Sequence, residues 1–154
     1  MAENVQWALK NEGPGGRLLL FAHDAHVMNW KDDEPRWAVV RDKPPMMGSH
    51  LRRVYGEDVY IIATSFAMAS TGLPTPKPEE DGLDRTLAGL GLPLMFLDLR
   101  MARQDRDALA WLSRRRSLDA VLSTNLLVTP STAFDGLFFV NRLTPAIPTS
   151  DGTH

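Results

Sequence analysis

The stretch RLLLFAHDAHV, residues 17–27, changes from apolar to polar at its midpoint. The continuous apolar run over residues 17–22 is typical of a strand that is covered on both faces. His23, Asp24 and His26 then follow within four positions. Because α/β sheets bind ligands at the carboxyl ends of their strands, we expect His23 to end a central strand and to face a cleft.

Helical and extended patterns alternate along the rest of the chain. Val5, Ala8 and Leu9 recur at helical spacing before Gly13, which predicts a helix over residues 2–12. The same criteria predict helices over residues 46–56, 83–91 and 105–114, and strands over residues 59–66, 92–99 and 136–141. Asp105 is the expected N-cap of the last helix, and residues 114–116 are the expected cations at its C-terminus. This order predicts an α/β domain with alternating strands and helices around a mostly parallel sheet.

Composition limits the classes of function. With 17 Lys and Arg against 19 Asp and Glu, the net charge is -2, which indicates no basic surface for nucleic acid or an anionic membrane. The absence of cysteine excludes disulfides, thiol nucleophiles and thiolate zinc sites. The apolar runs are shorter than the roughly 18 residues that a membrane span needs, and no secretory signal pattern opens the chain, so we expect a cytoplasmic protein.

Four stretches occur in an order that a known family shares. They are MAENVQWALKNEGPGGRLLLFAHDAHV (1–27), MMGSHLRRVYGEDVYIIATSF (46–66), LPLMFLDLR (92–100) and AFDGLFFVNRLTPAIP (133–148). Together they resemble the C-terminal part of the erythromycin esterase family. The resemblance implies an erythromycin esterase-like domain over residues 1–148 and a disordered tail over residues 149–154. Family members are much longer, so we expect an incomplete domain whose N-terminal half is absent.

The family resemblance implies hydrolysis of a small-molecule ester, which is a macrolide lactone in the best-known, antibiotic-resistance members. A histidine acts as general base on water, and neither a metal nor a cofactor is needed. By the motif match, His23 and His26 are the expected catalytic residues, and His23 is favoured because it ends the predicted strand. Trp30 and Trp37 could line an apolar substrate pocket, or they could equally fill the edge of the core.

Two positions of the histidine motif differ from the family pattern. Phe21 stands where the family has tryptophan, and Asp24 stands where it has asparagine. Phe21 is a mild change. Asp24 adds a negative charge beside two histidines, which favours imidazolium, a poorer general base.

Other interpretations of the same residues stay open. The sequence HDAH could form half of a metal site, but zinc needs three or four ligands and only His50 and His154 remain as histidines, so we expect no metal. Asp98 lies at the end of the strand predicted over residues 92–99, where a plain strand-end cap is favoured slightly over a site role.

The resemblance leaves a second function open, that of a catalytically inactive remnant or a binding module. A domain without its N-terminal half should expose an apolar patch larger than a few hundred Å², or self-associate. We also expect the chain alone to hydrolyse esters no faster than buffer, and the missing half to act as its partner.

Overall fold

A computed structural model describes residues 1–30, 46–69, 82–120 and 124–144. Trp37, His154 and the predicted tail over residues 149–154 lie outside these ranges. The helices are α1 (Ala2–Glu12), α2 (Asp24–Val27), α3 (Met47–Tyr55), α4 (Leu83–Ala88), α5 (Leu99–Ala102), α6 (Arg106–Leu112) and α7 (Pro130–Ala133). The strands are β1 (Ile62–Ala69), β2 (Leu94–Asp98), β3 (Arg116–Ala120), β4 (Thr124–Val128) and β5 (Gly136–Leu143). No helix within the described ranges is long and apolar enough to cross a membrane.

The strands form a mixed arrangement. A three-stranded sheet has the order β1-β5-β2, and β3 pairs with β4 in a separate two-stranded sheet. β5 runs parallel to β1 but antiparallel to β2, and β3 and β4 are antiparallel. The α/β class is confirmed, whereas the prediction of a mostly parallel sheet is wrong. Apolar runs indicate that a strand is buried, but the direction of each strand depends on the connections between strands.

Residues 17–22 form neither a helix nor a strand and join neither sheet. Leu19 is 94% exposed and Phe21 is 96% exposed, so the most apolar run of the chain faces solvent. A strand needs a neighbour to accept and donate its backbone hydrogen bonds, and the described part of the chain offers none to this segment. The prediction of a central strand ending at His23 is therefore wrong for this chain by itself.

The three-stranded sheet buries one of its faces more completely than the other. Ala63, Leu137 and Phe139 point into the core, each at most 2% exposed. Leu83 and Leu87 of α4, with Leu118 of β3, belong to the same core cluster. On the opposite face, several alternate residues of the same strands remain exposed, although Phe66 is 8% exposed.

Local signals predicted α1, α3, α4 and α6, but not the four-residue helices α2, α5 and α7. The carboxylate of Asp105 accepts hydrogen bonds from the backbone N–H groups of Asp107 at 3.0 Å and Ala108 at 2.8 Å, which confirms it as the N-cap of α6. After the same helix, Arg116 donates from Nε to the Trp111 carbonyl at 3.2 Å. Caps and helix-end cations depend on neighbours in sequence, which explains why they could be predicted.

A buried ionic cluster, which we call the arginine cluster, joins the elements at one end of the sheet. It consists of Asp135, Arg52, Arg100 and Arg103. The Asp135 carboxylate accepts from Nε of Arg100 at 3.0 Å and from the Ile61 N–H at 2.8 Å, and also pairs with Arg52. These contacts tie α3 and α5 to the first residues of β1 and β5.

Candidate functional site

The histidine motif forms a single helical turn, α2. His23 is its N-cap, and Nδ1 of the ring accepts a hydrogen bond from the Ala25 N–H at 3.1 Å. A backbone N–H can only donate, so Nδ1 is the unprotonated nitrogen and the neutral ring carries its proton on Nε2. The exposed Nε2–H of His23 is therefore available as a hydrogen-bond donor rather than as a base.

His26 lies on the same turn with its ring exposed. Its ring centroid is 6.3 Å from that of His23, and the two ring planes are 72° apart. In the part of the chain that the structure describes, neither ring nitrogen of His26 has a hydrogen-bond partner. The turn thus presents two imidazoles to solvent, close enough together for one small group to contact both.

Asp24 points from this turn to the edge of the sheet. Its carboxylate accepts the backbone N–H of Thr64, at 3.1 Å to one oxygen and 3.3 Å to the other. Burial raises the pKa of Asp24 to about 6, although the hydrogen bonds from Thr64 oppose the shift. Within the described ranges the carboxylate forms no ion pair with either histidine, so its expected effect on their charge stays a prediction.

The residues after α2 dock against the start of α3. Gly48 packs so closely that a Cβ atom there would lie 1.6 Å from the Val27 carbonyl oxygen. Ser49 Oγ accepts the Trp30 N–H at 2.7 Å and donates to the Trp30 carbonyl at 2.8 Å. The first residues of α3, Met47 to Ser49, therefore form the surface against which the histidine turn packs.

Asn29 adds a third attachment that the sequence did not suggest. Its N–H donates to the Ala133 carbonyl at 2.9 Å, and its side-chain Nδ2 donates to the Thr132 carbonyl at 3.0 Å. Both acceptors belong to α7, which is remote in sequence. Residues 24–30 are thus attached to the edge of the sheet, to α3 and to α7. No local sequence pattern at Asn29 could have predicted its contact with α7.

Of the two tryptophans that we expected near the substrate, the structure describes only Trp30. Trp30 is half-buried and packs against the core cluster, and its buried Nε1 has no hydrogen-bond partner among the described residues. This position agrees with the core-edge alternative and leaves a substrate contact as a prediction. Trp37 lies outside the described residues.

Other candidate residues take structural positions. Asp98 accepts the Met101 N–H at 3.1 Å and caps α5, which confirms the cap interpretation. His50 contacts Nη2 of Arg53 at 2.9 Å on the surface of α3. Within the ranges that the structure describes, no three histidine or acidic side chains are grouped so that they could hold a metal ion.

A comparison with known families identifies the motif. The sequence profile described as erythromycin esterase matches residues 1–143, nearly the whole chain. The chain belongs to the erythromycin esterase family. His23 and His26 lie inside the matched region. None of the curated proteins matches the sequence.

Two solved structures share the fold of this erythromycin esterase-family chain. A protein of Bacillus cereus superposes with a TM-score of 0.72 at 18% identity. A succinoglycan biosynthesis protein superposes with a TM-score of 0.70 at 20% identity. Each match covers 94% of this chain but only 37% of the solved chain, so the present chain spans a little over a third of the length of these structures.

Proposed function

We propose that this chain is the histidine-bearing portion of an ester hydrolase of the erythromycin esterase type. The observation that carries the proposal is the family match over residues 1–143, which contains the exposed His23 and His26 turn. The substrate is a small-molecule ester of the macrolide lactone type. The remaining groups of the site come from polypeptide that corresponds to the part of longer relatives outside this chain.

The hydrogen bond from Ala25 to His23 suggests different roles for the two histidines. Because Nδ1 of His23 is occupied, its Nε2–H is suited to donate to the carbonyl oxygen of the ester as negative charge develops there. His26 has unoccupied ring nitrogens and is suited to take a proton from water. This proposal reverses the expectation that His23 is the base.

The chemical step follows from these roles. His26 accepts a proton while the water oxygen bonds to the ester carbon, and the carbonyl electrons move to the oxygen that His23 stabilises. When the tetrahedral intermediate collapses, the bond to the alkoxy oxygen breaks. The leaving oxygen takes the proton from His26, so the imidazole returns to its neutral state. A positioned base of this kind contributes about 10²–10⁴ in rate.

The test is opening of a macrolide lactone, followed by mass spectrometry as the addition of one water. A lactone is preferable to an activated aryl ester because exposed imidazoles hydrolyse activated esters without an enzyme site. The chain alone should react no faster than buffer. The chain supplemented with the N-terminal portion of a longer family member should react, and His26→Ala should lower that rate by about 10²-fold or more.

Matched variants separate chemistry from folding. His23→Asn removes the imidazole but keeps an N-cap side chain, so loss of rate in this variant reports on the ring rather than on the turn. His50→Ala, on the surface of α3, serves as the control and should not change the rate. Hydrolysis by the chain that survives both His26→Ala and His23→Asn would contradict the proposed roles.

The alternative is a catalytically inactive remnant or a binding module. It is favoured if the supplemented chain binds a macrolide, as measured by a shift of the thermal midpoint, yet opens no lactone. The incompletely covered sheet is the observation that keeps this alternative open.

A further inference from the structure

One face of the three-stranded sheet is apolar and uncovered. We define the open face by Ile62, Leu94, Phe96 and Phe138, which are 44%, 54%, 50% and 38% exposed. The register places Phe96 opposite Phe138, and Phe138 beside Thr64 of β1. At Gly136 a Cβ would lie 2.8 Å from the Phe96 ring, so the ring packs directly against this glycine. The open face therefore has members on β1, β5 and β2, and the polar Thr64 lies beside Phe138 on the same side of the sheet.

The open face carries more large apolar side chains than a solvent-exposed sheet face normally does. A sheet with one solvated face alternates apolar residues inside with polar residues outside. Here large apolar residues also occupy most of the outward positions, with Thr64, Asp98 and Arg142 as polar exceptions. This pattern is closer to that of a sheet covered on both faces. Single exposed apolar residues are ordinary, but a contiguous group of aromatic and branched side chains indicates an interface.

A second apolar surface lies beside the histidine turn. We call residues 18–21 the strap. Leu19 and Phe21 are almost fully exposed, and Leu18 and Leu20 are 42% and 39% exposed. The strap is neither helix nor strand, it joins no sheet within the described ranges, and it leads directly into His23, the N-cap of α2. Its backbone and both of its side-chain rows are thus available to a neighbour.

The solved structures indicate what covers these surfaces. In both, the fold of this chain is embedded in a much longer polypeptide, because 94% of this chain superposes on only 37% of theirs. A single continuous chain that contains this fold has more than half of its residues left to pack against it. A second copy of the present chain would supply neither that length nor that continuity.

We propose that the open face and the strap form one docking surface for the part of this larger fold that the chain does not span. That polypeptide lays apolar side chains on the open face and pairs a strand with the strap. Because the strap ends at His23, strand pairing also fixes the turn that carries both histidines. This last consequence rests on the proposed function, whereas the docking surface does not.

The first test is to inspect the surroundings of the equivalent positions in the two solved structures. The positions that superpose on Phe96, Phe138 and Leu19 should lie in contact with residues of the portion that this chain does not cover. If these positions are exposed to solvent in both structures, or are covered by a second copy of the solved chain, the proposal is overturned.

The second test uses the chain itself, with an apolar fluorescent dye and light scattering as readouts. Phe96→Ser should lower dye binding by about half, since it removes one of the two exposed rings of the open face. Leu94→Ser serves as a second variant and should act in the same direction. The control is Leu90→Ser, since Leu90 is 60% exposed but lies outside the open face. It should leave dye binding unchanged.

Two outcomes of the second test would overturn the proposal. The first is equal dye binding by the wild-type chain and by Phe96→Ser. The second is a stable dimer that Phe96→Ser dissociates and Leu90→Ser does not, because the occupant would then be a second copy. Neither readout depends on ester hydrolysis, so failure of the docking surface can be distinguished from failure of the proposed activity.

Discussion

Replacing Asp135 by asparagine should destabilise the chain more than any other change of one carboxylate to an amide among the described residues. The Asp135 side chain is 3% exposed and is shared by Arg52, Arg100 and Arg103, whose side chains are 17%, 29% and 29% exposed. Asparagine has nearly the same shape but no charge, so the substitution isolates the electrostatic contribution.

The magnitude follows from what remains after the substitution. Removing one partner of a buried ion pair leaves an uncompensated charge and destabilises by about 3–5 kcal/mol. The three guanidinium groups of the arginine cluster are partly hydrated, so we take the lower end, about 3 kcal/mol. For a chain of this size the thermal midpoint should fall by about 6–12 °C.

The assay is urea unfolding followed by circular dichroism and tryptophan fluorescence. Asp105→Asn is the matched control, because Asp105 accepts only backbone N–H groups and asparagine is an equally good N-cap. A loss at Asp135 below about 1 kcal/mol, no larger than at Asp105, would show that the arginine cluster does not stabilise the fold.

The pH dependence provides a second check on Asp135. Burial by itself would raise the pKa of Asp135, but the hydrogen bonds from Arg100, the Ile61 N–H and Arg52 hold it below its usual value of 3.8. The folded state therefore binds this proton more weakly than the unfolded state. The stabilisation is complete above the unfolded pKa and is lost as pH falls through the folded pKa. The difference between wild type and Asp135→Asn should thus stay constant above about pH 5 and shrink below pH 4.

Two further substitutions probe the histidine turn. Gly48→Ala should destabilise by about 3 kcal/mol or more in urea unfolding, because its Cβ would meet the Val27 carbonyl oxygen at 1.6 Å. The control Gly89→Ala, with its nearest atom at 3.3 Å, should be close to neutral, and equal losses at both sites would contradict the close packing. The pKa of Asp24 is raised to about 6, so the folded state binds this proton more tightly than the unfolded state does. The wild-type chain should therefore lose stability as pH rises from about 4 to about 6, and Asp24→Asn should abolish that loss. Above that range the variant, which keeps an acceptor for Thr64, should be more stable by at most about 3 kcal/mol, and an unchanged pH profile would refute the burial of this charge.

The sequence by itself determined the features that depend on near neighbours. Helix α1 has its predicted bounds, α3 lies within residues 46–56, and β5 begins at the predicted residue. The caps at Asp98 and Asp105 follow from side chains that reach N–H groups two or three residues ahead. The family could also be predicted from the sequence, because its motif is a short contiguous segment around His23 and His26. The profile match over residues 1–143 confirms the family.

The tertiary structure alone decided where the elements meet. The direction of β2 and the arginine cluster around Asp135 depend on contacts between segments that are distant in sequence. The attachment of residues 24–30 to α3 and α7 is of the same kind. The apolar run over residues 17–22 shows the limit most clearly. Its composition is that of a buried strand, but a strand forms only when a neighbour pairs with its backbone, and the described part of this chain contains no such neighbour.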